Sequence, residues 1–226
     1  MVPVKKPDGT VRLCIDFRQV NKITTPDPFQ IPLIEDLLDS LGEAKYISKL
    51  DMNKGLYQIP VAEKDQDKTA FCTPCGKYNF TRMPFGLRNA PATFQRCLNV
   101  VIEGLEESTG DYIDDLVVHS RTWEEHLRHL RQVLDRLRAH GLTAKESKCE
   151  WGASSVTYLG HVVGEGKVSV PEARVAAIRN FKKPHTKSDL RAFLGTVGYY
   201  RKFIRDYAQV AHPLTETHGD HKEKRA

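Results

Sequence analysis

Tyr112-Ile113-Asp114-Asp115-Leu116-Val117-Val118 sets two adjacent carboxylates between apolar residues. Successive side chains of a strand point to opposite faces, so Asp114 and Asp115 can serve one site only if the backbone turns there. The stretch is therefore predicted to be two short strands joined at the acids. A third acid, Asp51, closes an earlier strand-like run, Lys45-Tyr46-Ile47-Ser48-Lys49-Leu50. Apolar flanks bury the backbone and leave the acids at an exposed end, where unpaired carboxylates are costly and call for a cation. Three acids with no His or Cys beside them form a hard oxygen donor set, which favours Mg²⁺ or Mn²⁺ over Zn²⁺. Two such ions, about 3.5–4 Å apart, can clamp an in-line phosphoryl displacement. Taken alone the string competes with a plain surface turn, which also favours Asp.

Outward from the acids, the order of elements gives the fold class. Residues 4–17 read as a hairpin turning at Pro7-Asp8-Gly9, with Val11, Leu13 and Ile15 alternating with polar residues. A Pro-rich connection, Thr24 to Pro32, leads to a helix with Ile34, Leu37, Leu38 and Leu41 on one face and Gly42 as its stop. After the strand ending at Asp51, Thr69 to Phe80 reads as a second hairpin turning at Pro74-Cys75-Gly76. Pro91 starts a helix with Phe94, Leu98, Val101 and Leu105 at helical spacing. Beyond the double Asp, Thr122 to His140 is predicted to be a long amphipathic helix with Trp123, Leu127, Leu130, Leu134 and Leu137 as its apolar stripe. His126 and His129 are expected at its surface or boundary. Thr157 to Val163 reads as one strand and Ser188 to Tyr207 as one last helix. Strands and helices mix without a regular βαβ rhythm, so the class is α+β, an antiparallel sheet with helices on one face.

The chain has 226 residues, enough for one sizeable domain or one plus an appendage. No apolar run reaches membrane-spanning length, and the N-terminus lacks the apolar core of a signal peptide, so an intracellular location is expected. The five cysteines are scattered, and Cys72 and Cys75 have no second pair at zinc-ribbon spacing, which reads as free thiols. Net charge is +5. From Lys182 onward basic residues outnumber acids beside Phe193, Tyr199, Tyr200, Phe203 and Tyr207. Such a segment suits nucleic acid or a solvated helix with an aromatic core face.

Ordered motifs surround the acids. Val4-Lys5-Lys6-Pro7-Asp8-Gly9-Thr10-Val11-Arg12-Leu13-Cys14-Ile15-Asp16-Phe17-Arg18 comes first, then Ser48-Lys49-Leu50-Asp51 and Lys68-Thr69-Ala70-Phe71. Met83-Pro84-Phe85-Gly86-Leu87 with Asn89-Ala90-Pro91-Ala92-Thr93-Phe94-Gln95 follows, and then Tyr112-Ile113-Asp114-Asp115. His140-Gly141-Leu142 with Ser147-Lys148-Cys149, Tyr158-Leu159-Gly160-His161, and Leu190-Arg191-Ala192-Phe193-Leu194-Gly195 with Tyr199-Tyr200-Arg201 complete the set. Over nearly the whole chain this resembles the reverse transcriptases of gypsy-class long-terminal-repeat retrotransposons.

The resemblance implies a right-hand polymerase fold. Its parts would be a partial fingers hairpin at 1–25, palm at 26–58, fingers at 59–89, palm again at 90–167, and a thumb or connection at 168–226. It implies an RNA-directed DNA polymerase acting with two Mg²⁺ or Mn²⁺ ions on deoxynucleotide triphosphates and an RNA or DNA template with primer, in the cytoplasm within a virus-like particle or in the nucleus. By the same resemblance, Asp51, Asp114 and Asp115 would be the metal ligands and Lys148 would protonate pyrophosphate. Lys5 and Arg12 would grip the triphosphate, where Arg forks onto phosphate oxygens and Lys supplies a point charge. Phe85 and Gly86 would pack on the incoming nucleotide, Gln95 would position the template, and Leu159, Gly160 and His161 would form the primer grip. Ribonuclease H and integrase domains are expected in the full polyprotein, outside this chain, with no membrane partner.

Three departures from the family pattern are visible. The chain starts at the fingers hairpin, which implies truncated fingers. Leu56 stands where the family has an aromatic that blocks a ribose 2′-hydroxyl, which implies weaker rejection of ribonucleotides. Ser108-Thr109-Gly110-Asp111, entering the double-Asp turn, is polar and poor in strand formers, and Asp111 adds a like charge. The alternatives are a decayed or truncated copy that only binds nucleic acid, and a cyclase-type palm enzyme, which leaves the Met83-to-Gln95 and Leu159-to-His161 stretches without a purpose.

Overall fold

The computed structural model describes residues 2–5, 9 and 11–219, with the side chains of residues 2, 11–13 and 216–219 outside the description. The chain divides into two compact units, Met1–Val156 with Gly164–Gly166, and Thr157–Val163 with Lys167–Ala226.

The first unit begins with a hairpin, β1 (Val2–Lys5) against β2 (Val11–Cys14), in the register Val4 to Arg12. The turn expected at Pro7-Asp8 lies outside the described residues. Two short helices follow, α1 (Arg18–Ile23) and α2 (Ile34–Ser40), then β3 (Tyr46–Asp51), a helical turn α3 (Glu63–Gln66), and a small hairpin of β4 (Phe71–Thr73) and β5 (Gly76–Tyr78). Next come α4 (Ala90–Ile102), β6 (Thr109–Tyr112), β7 (Asp115–Ser120), α5 (Trp123–Ala139) and β8 (Glu150–Ala153). The central sheet has the order β6-β7-β3-β8, with β3 antiparallel to both neighbours and β6 antiparallel to β7. Phe94, Leu98, Val101 and Ile102 of α4 and Val133 and Leu137 of α5 share one core with Leu50, Leu116 and Val118 of the sheet. This is the α+β arrangement that the element order predicts.

Three details of this unit differ from the sequence reading. The buried face of α5 runs through His126, Val133 and Leu137, while Trp123, Leu127 and Leu134 are exposed. His126 is fully buried instead of lying at the boundary. Two serines make this possible, because its Nε2 lies 2.7 Å from Ser48 Oγ and its Nδ1 3.2 Å from Ser120 Oγ. Ser48 Oγ also accepts the Gly152 N–H at 2.8 Å, so the network joins β3, β7, β8 and α5. Strand β8 was not foreseen, since Glu150-Trp151-Gly152-Ala153 has no apolar alternation and bulges at Gly152, where φ is +56°.

The second unit holds most of a three-stranded sheet in the order β11-β10-β9, made of β9 (Ser155–Tyr158), β10 (His161–Gly164) and β11 (Lys167–Ser169). Helices α6 (Glu172–Arg179), α7 (Lys187–Gly198) and α8 (Tyr207–Gly219) follow. The single strand expected over Thr157 to Val163 is instead a hairpin that folds back at Leu159-Gly160, both with positive φ. The single helix expected over Ser188 to Tyr207 ends at Gly198 and resumes at Tyr207.

Candidate active site

Asp51 and Asp115 are directly opposite each other in the β3–β7 ladder. Cross-strand partners put their side chains on the same face. Asp114 stands at the apex of the β6–β7 hairpin and is exposed, while Asp51 and Asp115 are half-buried. The turn that brings Asp114 round to its neighbours passes through Ile113, whose φ is +56°. A β-branched residue in that region is strained. Met52 N donates to the Asp114 carbonyl at 3.2 Å, which ties the apex to the end of β3. Gly55 faces the same apex. A Cβ there would lie 3.3 Å from Asp114 Cβ, and the φ of Gly55 is +31°.

Two lysines balance this acidic end. Lys148 Nζ lies 2.9 Å from Asp51 Oδ2 and Lys49 Nζ lies 3.6 Å from Asp115 Oδ1. Hydrogen bonding to Asp51 raises Lys148 above the usual lysine range. Burial is the largest influence on Asp115 and pushes its carboxyl up; Lys49 pulls it down, and the charges of Asp114 and Asp51 push it up again. Lys49 was not foreseen, although its place two residues before Asp51 puts both on one face of β3. Among the described residues no three of His, Cys, Asp or Glu are already gathered into a coordination shell. The donor chemistry nevertheless fits a hard divalent cation: three carboxylates on neighbouring positions, oxygen only, with two lysines as the present counter-charges.

Behind the hairpin lies a buried amide. Gln95 of α4 is fully buried. Its Oε1 accepts the Ile113 N–H at 2.6 Å and its Nε2 donates to Asp111 Oδ2 at 2.6 Å. Gln95 is thus buried and holds the strained Ile113 peptide. Asp111 is 5% exposed, and burial pushes its carboxyl up to about 6. The expected poor strand over Ser108–Asp111 does form as β6. Its polar residues are buried, and Gly110 admits Val117 and Leu37, which would stand 3.2 and 3.3 Å from a Cβ there.

The residues expected around the nucleotide scatter more. Lys5 is exposed on β1, opposite Val11 in the register; the Arg12 backbone pairs with Val4, and its side chain lies outside the described residues. Phe85 is half-buried against the core, and Gly86 is exposed with φ +97°, its carbonyl accepting from Asn21 Nδ2 at 2.8 Å. Leu56 is 6% exposed and belongs to the core. Tyr57 packs edge-on against Phe85, with ring centroids 5.3 Å apart. The short helical turn Gly55–Gln58 rotates the apolar Leu56 inward and the amphipathic Tyr57 outward.

In the second unit, Leu159 and Gly160 form the hairpin tip with φ +47° and +76°. Both are half-buried. His161 is 3% exposed, ringed by Tyr199, Tyr200 and Phe203 with centroids 5.4 to 5.6 Å away. It lies beneath the tip, with its Nδ1 3.0 Å from the Leu159 carbonyl. Asp51, Asp114, Asp115 and Lys148 are brought together within the first unit.

Comparison with known proteins agrees with this geometry. The family model "Reverse transcriptase (RNA-dependent DNA polymerase)" matches residues 4–163. The chain belongs to the reverse transcriptase family. It is 41% identical over 216 residues to the retrovirus-related Pol polyprotein from transposon 297 of Drosophila melanogaster, covering 93% of this chain and 20% of that protein. It is 41% identical over 207 residues to the Pol polyprotein from transposon gypsy of the same organism, covering 91% and 20%. The chain therefore spans about a fifth of the length of these relatives, and its gypsy-type kinship holds. Among solved structures, the foamy viral protease-reverse transcriptase in complex with double-stranded DNA superposes with a TM-score of 0.89 at 28% identity, covering 95% of this chain and 38% of that one. The same viral protein in complex with an RNA/DNA hybrid gives 0.83 at 28%, covering 95% and 29%. The right-hand polymerase fold follows. Reverse transcriptases as a class depend on divalent metal ions. No helix among the described residues is long and apolar enough to cross a membrane.

Proposed function

We propose that this chain is the polymerase portion of a retrotransposon Pol polyprotein and extends a primer on an RNA or DNA template with deoxynucleotide triphosphates. The observation that carries this reading is the meeting of Asp51, Asp114 and Asp115 at one exposed end of the sheet. Two Mg²⁺ or Mn²⁺ ions held by these carboxylates would activate the primer 3′-oxygen and offset charge on the leaving pyrophosphate. The protein's own work is positioning. Gly55 and the Gln95-held Ile113 peptide fix where the Asp114 carboxylate stands. Lys148, a cation beside Asp51, is suited to neutralise and protonate the departing pyrophosphate. Lys5 and Arg12 on the first hairpin would bind triphosphate oxygens, and Phe85 with Gly86 would form the floor under the incoming base and sugar. The first unit would then supply fingers and palm, and the second the thumb or connection with its basic surface along duplex phosphates. In the full polyprotein, ribonuclease H and integrase domains would act on the product, in a cytoplasmic virus-like particle or in the nucleus.

The test is extension of a labelled DNA primer on an RNA template by the purified chain. Extension with Mg²⁺ or Mn²⁺, lost in Asp114→Asn, is expected. Salt-dependent binding without extension, unchanged by Asp114→Asn, would make the chain a binding module only.

A further inference from the structure

The hairpin tip at Leu159-Gly160 is held in an unusual way. A two-residue connection with positive φ at both positions matches the right-handed twist of the strands it joins, but it is normally built from Asn, Asp or Gly. Leu159 at φ +47° carries a side-chain penalty that Gly160 does not. Left to itself, such a tip would relax.

Three donors meet its two carbonyls. Tyr199 Oη donates to the Leu159 carbonyl at 2.8 Å. His161 Nδ1 lies 3.0 Å from the same oxygen, which makes Nδ1 the protonated nitrogen and leaves Nε2 buried with no partner among the described residues. Tyr200 Oη donates to the Gly160 carbonyl at 3.1 Å. The two tyrosines are adjacent at the end of α7, 40 residues along the chain from the carbonyls they hold, and their rings meet edge-to-face with centroids 4.9 Å apart. A Cβ at Gly160 would lie 3.6 Å from both Tyr199 Cε1 and Tyr200 Oη, so the rings close against the tip itself. All of these residues belong to the second unit. Hydroxyls aimed at both carbonyls of one strained turn do more than fill a core, since a phenylalanine would fill the same volume.

We propose that Tyr199 and Tyr200 are positioning residues that clamp the Leu159–Gly160 tip by both of its carbonyls, so that it bears on the primer strand as a rigid element. The inference rests on the polymerase reading and deepens it, because it assigns control of primer retention to a pair outside the acidic site. A tip held in one conformation loses little freedom when a strand docks on it. A tip released from its carbonyl bonds would lose more, and would let the strand go sooner. The acids and Lys148 belong to the first unit and this pair to the second, so the chemical step on a bound primer should be unaffected.

The experiment uses the full chain with Tyr199→Phe, Tyr200→Phe and the double variant, and Tyr46→Phe as a control far along the chain. Dissociation of a fluorescent primer–template, single-turnover extension from a preformed complex, and the thermal midpoint are measured. The dissociation readout needs no catalysis. The double variant should release the duplex faster by about fivefold or more, because a loosened tip must be ordered again whenever the strand docks on it. Its single-turnover rate should stay within about twofold of the parent, which separates binding from chemistry, and its midpoint should fall by only a few degrees, roughly what two lost hydrogen bonds account for. Unchanged release overturns the proposal. Faster release that comes with a larger fall in midpoint and a slower single turnover also overturns it, by making the pair ordinary packing. Leu159→Asp separates the two levels. If it too leaves release unchanged, the tip does not touch the primer and the grip reading falls along with the clamp; if it speeds release while the Phe variants do not, only the clamp falls.

Discussion

Asp111 shows how one residue can serve a site without belonging to it. Its carboxylate is buried, accepts from Gln95 Nε2 at 2.6 Å, and has its pKa pushed by burial from 3.8 to about 6. Between those values the folded chain holds a proton that the unfolded chain has released, so the contribution of Asp111 to stability falls as pH rises through that window. Asp111→Asn should therefore stabilise the protein above pH 7, by up to about 3 kcal/mol for a shift of this size. Burial acts in the opposite sense on His119, lowering it to about 4, and also lowers His126. Their contribution is lost as pH falls below the ordinary histidine value. In Asp111→Asn the opposing contribution of Asp111 is gone, so stability should rise more steeply with pH between about 4 and 6.5 than it does in the parent. Urea unfolding across pH measures both, and an Asn variant no more stable than the parent at pH 7.5 would refute the account of Asp111.

At the scale of elements, the acidic turn depends on a strand the sequence disfavours. Strand β6 is polar, at the sheet edge, and built around Gly110, which leaves room for Val117 Cγ1 and Leu37 Cδ2. Gly110→Val should raise the local strand propensity and yet destabilise the protein by about 1–3 kcal/mol, because the added carbons overpack that gap. A neutral or stabilising result by denaturant titration would mean that the close approach is not rigid. Helix α5 makes the complementary point. Its capping box, with Thr122 Oγ1 accepting from Glu125 N, fixes where it starts. Its buried face joins His126, settled between Ser48 and Ser120, with Val133 and two members of the leucine stripe, Leu130 and Leu137.

For the whole molecule, the first unit gathers a negative end that two lysines balance only in part. Mg²⁺ or Mn²⁺ binding to the folded state alone should raise the thermal midpoint, with a gain of about 2.7 kcal/mol when the ion is at 100 times its dissociation constant. Asp114→Asn should abolish the rise without lowering the ion-free midpoint, since it removes a repelling charge; Asp51→Asn should abolish the rise too, but it also loses the Lys148 ion pair. A rise that persists in both variants would place the ion elsewhere.

Much of the candidate site was legible in the chain itself. Apolar runs ending in acids located β3 and the β6–β7 hairpin, and the need for a turn between Asp114 and Asp115 followed from strand alternation alone. Helix α4 was legible from Pro91 and its apolar spacing. Gln95 and Leu56 were not, because a polar side chain and an apolar one were each assigned to the open side by motif, and only packing shows both turned inward. The double strand at Leu159-Gly160 escaped because Leu does not announce a turn. Clamping hydroxyls from Tyr199 and Tyr200 supply what the local sequence lacks.

What the sequence by itself determined was the covalent pattern: which residues can be strand, helix or turn, and that three oxygen donors with no softer ligand stand at the ends of apolar runs. The tertiary structure alone decided which side chains meet, because the register of Asp51 against Asp115, the burial of Gln95 behind Ile113, and the tyrosine bonds to residues 40 positions away are long-range pairings that no local propensity encodes.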